Sequence, residues 1–126
     1  MRYLSTRGRA PTLDFEQATL AGLAADGGLY VPEAWPAFDA DEIRALRSLD
    51  YAQLAHLIIA RFTGECIDAG NLARLTADAY RNFPHPAVAP LAQLDSSTYL
   101  LELFHGPTLA FKDFALQFLG RLFGHF

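Results

Sequence analysis

Lys112 is the only lysine in this chain of 126 residues, and every other fixed positive charge is an arginine. An amine that sheds its proton can attack a carbonyl, whereas a guanidinium stays charged and cannot. The lysine lies in the stretch Glu102-Leu103-Phe104-His105-Gly106-Pro107-Thr108-Leu109-Ala110-Phe111-Lys112-Asp113-Phe114-Ala115-Leu116-Gln117. It follows a Gly-Pro turn and opens a run that is otherwise almost wholly apolar. Two roles suit it. One is a nucleophilic amine. The other is an ordinary lysine whose stem covers apolar neighbours while its head reaches water.

Other groups have chemistry to offer. His105 adjoins the lysine loop and can orient a small molecule or stabilise the turn. Thr108 suits a helix cap better than a catalytic hydroxyl. Asp113 suits the helix dipole or an ion pair better than a base. Glu102 falls in an expected buried strand, where a carboxylate must be paired or protonated. Ser5, Thr6 and Arg7 can reach an anionic substrate or anchor a terminal strand. Asp26, Gly27 and Gly28 read as a turn. His56, His85, His105 and His125 lack metal-ligand spacing, and Cys66 stands alone, so no metal site and no intrachain disulfide are expected. No glycine-rich phosphate loop occurs in a strand-to-helix setting.

These residues need elements to hold them. Tyr99 to Phe104 is an apolar run rich in strand formers and reads as a buried strand. His105-Gly106-Pro107 breaks it. Thr108 then serves as N-cap of a helix running to about Leu122, which sets Lys112 in or near the first turn. Phe111, Ala115, Phe118 and Leu122 recur at helical spacing, and Phe114, Leu116, Leu119 and Phe123 fill other faces. A helix so apolar is expected to be buried on several sides. Desolvation and the positive helix end would there favour a neutral amine, with Asp113 opposing in part.

Upstream the chain reads mostly helical. Met1 to Ser5 suits a short strand. Asp14 caps a helix expected to reach about Ala25, ended by Asp26-Gly27-Gly28. Asp39 and Glu42 make a capping-box pattern before Ile43, Leu46 and Leu49. Asp50 caps a helix through Leu54, Leu57, Ile58 and Phe62, stopped by Gly64. A further helix begins near Asp68 and runs through Leu72, Leu75, Thr76 and Ala79. Pro84, Pro86 and Pro90 force an extended connector.

Composition narrows the function classes. The net charge of −4 argues against a nucleic-acid partner, which needs a basic face. No apolar run is long enough to span a membrane, and no secretory signal opens the chain; a cytoplasmic location fits. A hydrophobic content of 52% and a mean hydropathy of +0.12 are high for a small free-standing domain. They predict apolar surface that meets further protein, with the lysine helix open to self-association.

Glu102 to Gln117 resembles the lysine segment of the threonine synthase family. Tyr3-Leu4-Ser5-Thr6-Arg7-Gly8 resembles that family's amino-terminal opening, and Asp26-Gly27-Gly28-Leu29-Tyr30-Val31-Pro32 its next landmark. The resemblance implies an α/β enzyme of the tryptophan-synthase-β fold type. This chain would supply a mostly helical amino-terminal module with a small sheet, residues 1–83, and the first strand and helix of the cofactor domain, residues 84–126. It implies pyridoxal 5'-phosphate bound to Lys112 as an aldimine. The implied reaction of amino-acid biosynthesis converts O-phospho-L-homoserine and water to L-threonine and phosphate. His105, Thr108, Ser5, Thr6 and Arg7 are the substrate-site candidates. The phosphate cradle and the partner of the pyridine nitrogen would lie after Phe126, so this portion alone would not turn over substrate. Two alternatives remain at this point: a threonine synthase-like phospho-lyase, and a non-catalytic helical interaction module.

Overall fold

The computed structural model describes residues 1–126. The elements are β1 (Tyr3–Ser5), α1 (Phe15–Ala21), β2 (Tyr30–Pro32), α2 (Ala40–Ala45) with a 3₁₀ turn over Leu46–Ser48, α3 (Tyr51–Thr63), α4 (Ala69–Tyr80), β3 (Leu91–Gln93), β4 (Tyr99–Leu101) and α5 (Asp113–Phe123). The result is the expected helical module, with two small antiparallel sheets rather than one. β1 pairs with β2, aligning Tyr3 with Pro32, and β3 pairs with β4, aligning Leu91 with Leu101. No helix is long and apolar enough to cross a membrane.

The helix starts follow from carboxylate caps. Asp14, Asp39, Asp50 and Asp68 each accept a backbone N–H from the first turn of the helix they precede, and the first three form full capping boxes. Such caps satisfy donors that have no intrahelical partner. α1 is shorter than expected. It stops at Gly22, whose φ of 68° leaves the helix, and Leu23 then bridges to Leu29 around the Asp26-Gly27 turn.

α4 carries the core. Its buried stripe is Leu72, Leu75, Thr76, Ala79 and Tyr80, at helical spacing. Ile67, Leu72 and Leu75 pack with Leu122 of α5. Ala79 and Tyr80 pack with Phe83 and Val88, and Phe114 and Phe118 of α5 lie against them. Tyr80 donates its hydroxyl to the Phe114 carbonyl at 3.1 Å.

Two expectations change around α5. The strand before it is short and exposed: Tyr99, Leu100 and Leu101 are 56%, 47% and 50% accessible. The apolar run therefore marks surface rather than core, and its partner strand β3 has no clear apolar alternation to announce it. α5 itself is buried along one stripe only. Leu122 is enclosed and Phe114, Phe118 and Leu119 are half-buried, while Leu116 and Phe123 stay exposed.

Leu72 is 1% exposed at the junction of α4 and α5. Leu72→Ala should destabilise the chain by about 2–5 kcal/mol, as cavities in close-packed cores do. Leu116→Ala, on the open face of α5, should cost far less. Urea melts of the two variants check the contrast.

Candidate active site

The loop before α5 brings the lysine into position. Lys112 takes helical φ and ψ of −64° and −19°, and its carbonyl accepts the N–H groups of Ala115 and Leu116. Its side chain lines a cleft of about 860 Å³ whose walls include Tyr51, Leu54, Leu101, Leu103 and Phe114. Asp50 is the only carboxylate on that lining, and Lys112 the only cation. Lys112 takes part in none of the chain's ion pairs. The expected burial of the amine is absent, because Lys112 is exposed. The cleft walls from α3 left no local trace near the lysine in the sequence; only the packing of α3 and α5 on α4 brings them there.

Thr108 does not cap the helix. α5 begins five residues later, and the Thr108 hydroxyl reaches both oxygens of Asp113 at 2.9 Å, while its N–H donates to Asp113 Oδ2 at 2.7 Å. Asp113 is 3% exposed and is the one charged side chain in the buried set. His105 sits on the other side of the Gly-Pro turn. Its Nε2 pairs with Glu102 Oε2 at 2.7 Å, which supplies the partner that Glu102 was expected to need. The His105 ring also packs on Phe104 and, at 5.0 Å between centroids, on His85. His85 is half-buried, and its Nδ1 accepts the Ala87 N–H.

Ser5, Thr6 and Arg7 gather elsewhere, around Asp26. The Ser5 hydroxyl donates to Asp26 at 2.7 Å and accepts the Arg7 N–H. Asp26 also accepts the N–H groups of Arg9, Ala10 and Gly28. Thr6 Oγ1 accepts the Leu29 N–H, and Arg7 donates to the Asp26 carbonyl. A Cβ at Gly28 would lie 2.3 Å from the Ser5 oxygen, so only glycine fits there. None of the three residues lines the Lys112 cleft. Arg7, Arg9 and Asp26 border a separate polar depression of about 490 Å³. No group of three histidine, cysteine, aspartate or glutamate side chains is arranged to hold a metal ion.

Fold and site define a class: a helical amino-terminal module joined to a helix that presents one lysine beside an apolar cleft. Residues 2–80 match the family model described as threonine synthase N terminus. The chain is 54% identical over 125 residues to the threonine synthase of Pseudomonas aeruginosa, covering 99% of this chain and 27% of that protein. A crystal structure of pyridoxal-phosphate-bound threonine synthase from Brucella melitensis superposes with a TM-score of 0.97 at 52% identity, over 99% of this chain and 27% of that one. Threonine synthase-like 2 of Rattus norvegicus is 40% identical over the whole chain and 26% of its own length. This chain belongs to the threonine synthase family, and it spans about a quarter of the length of the relatives it matches.

Hydrogen bonds pull the Asp26 carboxyl down to about 2, the Ser5 hydroxyl first and the N–H groups of Gly28, Arg9 and Ala10 after it. A carboxyl that is more acidic folded than unfolded stabilises the fold above its unfolded range, near 4, and loses that contribution as pH falls toward 2. Asp26→Asn should therefore lower the urea midpoint at pH 7, with the deficit shrinking between pH 4 and pH 2. A deficit that stays constant with pH would contradict the role of the charge.

Proposed function

We propose that this chain is the amino-terminal part of a threonine synthase that converts O-phospho-L-homoserine and water to L-threonine and phosphate, with pyridoxal 5'-phosphate held on Lys112. The observation that carries this reading is the placement of the only lysine. It opens α5 beside an apolar cleft, in a chain that matches threonine synthases from its first residues through that helix. The 54% identity to a threonine synthase, against 40% to a threonine synthase-like 2 protein, supports the synthase reading.

The residues present suit one end of the cofactor. Lys112 offers an amine that is in no ion pair, and the neighbouring walls are mostly apolar, as the face of a pyridine ring requires. No second cation and no glycine-rich loop lines the cleft; in this reading the phosphate cradle belongs to another part of the enzyme. When bound, the cofactor supplies an electron sink for a carbanion at the substrate's α carbon. The Lys112 Nζ would hold the cofactor and would carry protons between substrate carbons. His105, fixed by Glu102, and Thr108, fixed by Asp113, flank the loop that presents this amine. At the other end, the Ser5 and Thr6 hydroxyls and the Arg7 guanidinium all bond within the chain around the Asp26 turn, away from the lysine cleft. In this reading residues 1–83 are the amino-terminal module and residues 84–126 begin the cofactor domain. The whole enzyme is cytoplasmic, the exposed apolar face of α5 meets further protein or a second copy, and the present portion alone does not turn over substrate.

Borohydride reduction of the full-length holoenzyme, followed by peptide mapping, should place the pyridoxyl label on Phe111-Lys112-Asp113. Lys112→Ala should abolish both label and activity. Lys112→Arg should keep the charge and still fail, because a guanidinium does not shuttle the proton. Normal turnover by Lys112→Ala, or a label on another lysine, would overturn the assignment.

A further inference from the structure

The start of α5 holds a cluster whose purpose the reaction alone does not explain. Asp113 is enclosed, yet it carries a carboxyl group and follows Lys112 directly. Its carboxylate faces backward onto the preceding loop. Oδ2 accepts the Thr108 N–H at 2.7 Å, and the Thr108 hydroxyl lies 2.9 Å from both oxygens. Gly106 rests against the same side chain so closely that a Cβ there would stand 2.4 Å from both Asp113 Cβ and Oδ2. The Leu109 N–H bonds back to the Gly106 carbonyl at 3.1 Å, and the Asp113 N–H to the Ala110 carbonyl at 3.0 Å. Between these ties Leu109 adopts a φ of 62°, a left-handed conformation that a branched side chain takes only when its surroundings impose it. The imposing contact is not burial of Leu109, which is 73% exposed. The loop is held by these two backbone bonds and by the polar bonds to one carboxylate.

That arrangement is a clasp. Gly106, Thr108 and Ala110 bracket the loop, and Asp113 closes it onto the first turn of the helix. Lys112 lies between the last tie and the clasping residue. Its backbone direction is therefore set by the Asp113 carboxylate as much as by the helix. Phe111, beside it, is 65% exposed and gives no apolar anchor of its own. Resting on the reading that Lys112 holds the cofactor, we infer that Asp113 is a positioning residue. Through Thr108 and the close approach of Gly106, it fixes the loop that aims the Lys112 amine at the cofactor's carbonyl carbon.

The alternative purpose of Asp113 is generic, a negative charge at a helix amino terminus that any acid could supply. The two roles differ in what they demand of Thr108. A dipole role is indifferent to the threonine hydroxyl. The clasp requires it, and serine supplies it equally well. Thr108 is exposed, so replacing it leaves the core intact and separates positioning from folding.

The test has two readouts. Amide hydrogen exchange in the full-length enzyme without cofactor reports the clasp directly. Thr108→Val and Asp113→Asn should speed exchange at Leu109 and at residue 108 by about tenfold or more, the usual effect of losing a bond to a charged group. Exchange along α4 should not change. Thr108→Ser should restore protection. In the holoenzyme, Thr108→Val should reduce the fraction of cofactor that borohydride traps on Lys112 and lower kcat about tenfold with little change in KM. Thr108→Ser should again restore both. Unchanged exchange at 108 and 109 in Thr108→Val overturns the clasp. Faster exchange with unchanged trapping and kcat overturns its positioning role. Absence of any label on Lys112 in the unaltered enzyme overturns the cofactor reading instead, and the exchange readout, which needs no cofactor, tells that failure apart.

Discussion

α4 is the surface on which the other helices are assembled. Its buried face has α3 on one side and α5 on the other, and both apolar clusters of the chain include it. The lysine helix is fixed to it at both ends. Leu122 closes the far end against Leu72 and Leu75, and near the start the Tyr80 hydroxyl donates to the Phe114 carbonyl. Burial, with Tyr51 beside it, pushes the Tyr80 phenol up to about 12, so it remains a donor well above neutral pH. Phe114 is two residues from Lys112. The direction of the lysine helix is thus inherited from α4 rather than from anything in the lysine segment.

Carboxylates do the finer shaping. The chain has more acidic than basic residues, and a large share of them bond to backbone N–H groups rather than to cations. Asp14, Asp39, Asp50 and Asp68 start helices. Asp26 gathers the amino-terminal strand, the Arg9 and Ala10 amides and its own turn onto one side chain. Asp113 holds the loop before the lysine. Surface ion pairs such as Arg2 with Glu33 are exposed and contribute little by comparison.

Around the lysine the surface is unusually apolar. Leu101, Phe104, Leu109, Phe111 and Leu116 are all exposed, on the hairpin, the loop and the helix that together frame the cleft. Contiguous apolar surface of this kind is what protein contacts cover. The relatives this chain matches are roughly four times its length.

The sequence by itself determined the helix starts, because each depends on a carboxylate and the N–H groups two or three residues after it. Asp50 and Asp68 act within one turn, and nothing distant can alter that. It also determined which residue has the amine, and the family resemblance of the Glu102–Gln117 segment. The end of α1, the exposure of Tyr99 to Leu101 and the solvent access of Lys112 were not legible, because apolar residues show the same pattern whether they face a core or an open surface. Only the tertiary structure decided that Thr108 serves Asp113 instead of capping a helix, that His105 turns to Glu102, and that Ser5 and Thr6 converge on the turn at Asp26. Those choices depend on which groups the packed chain brings within hydrogen-bond reach, a distance that spacing along the sequence does not fix.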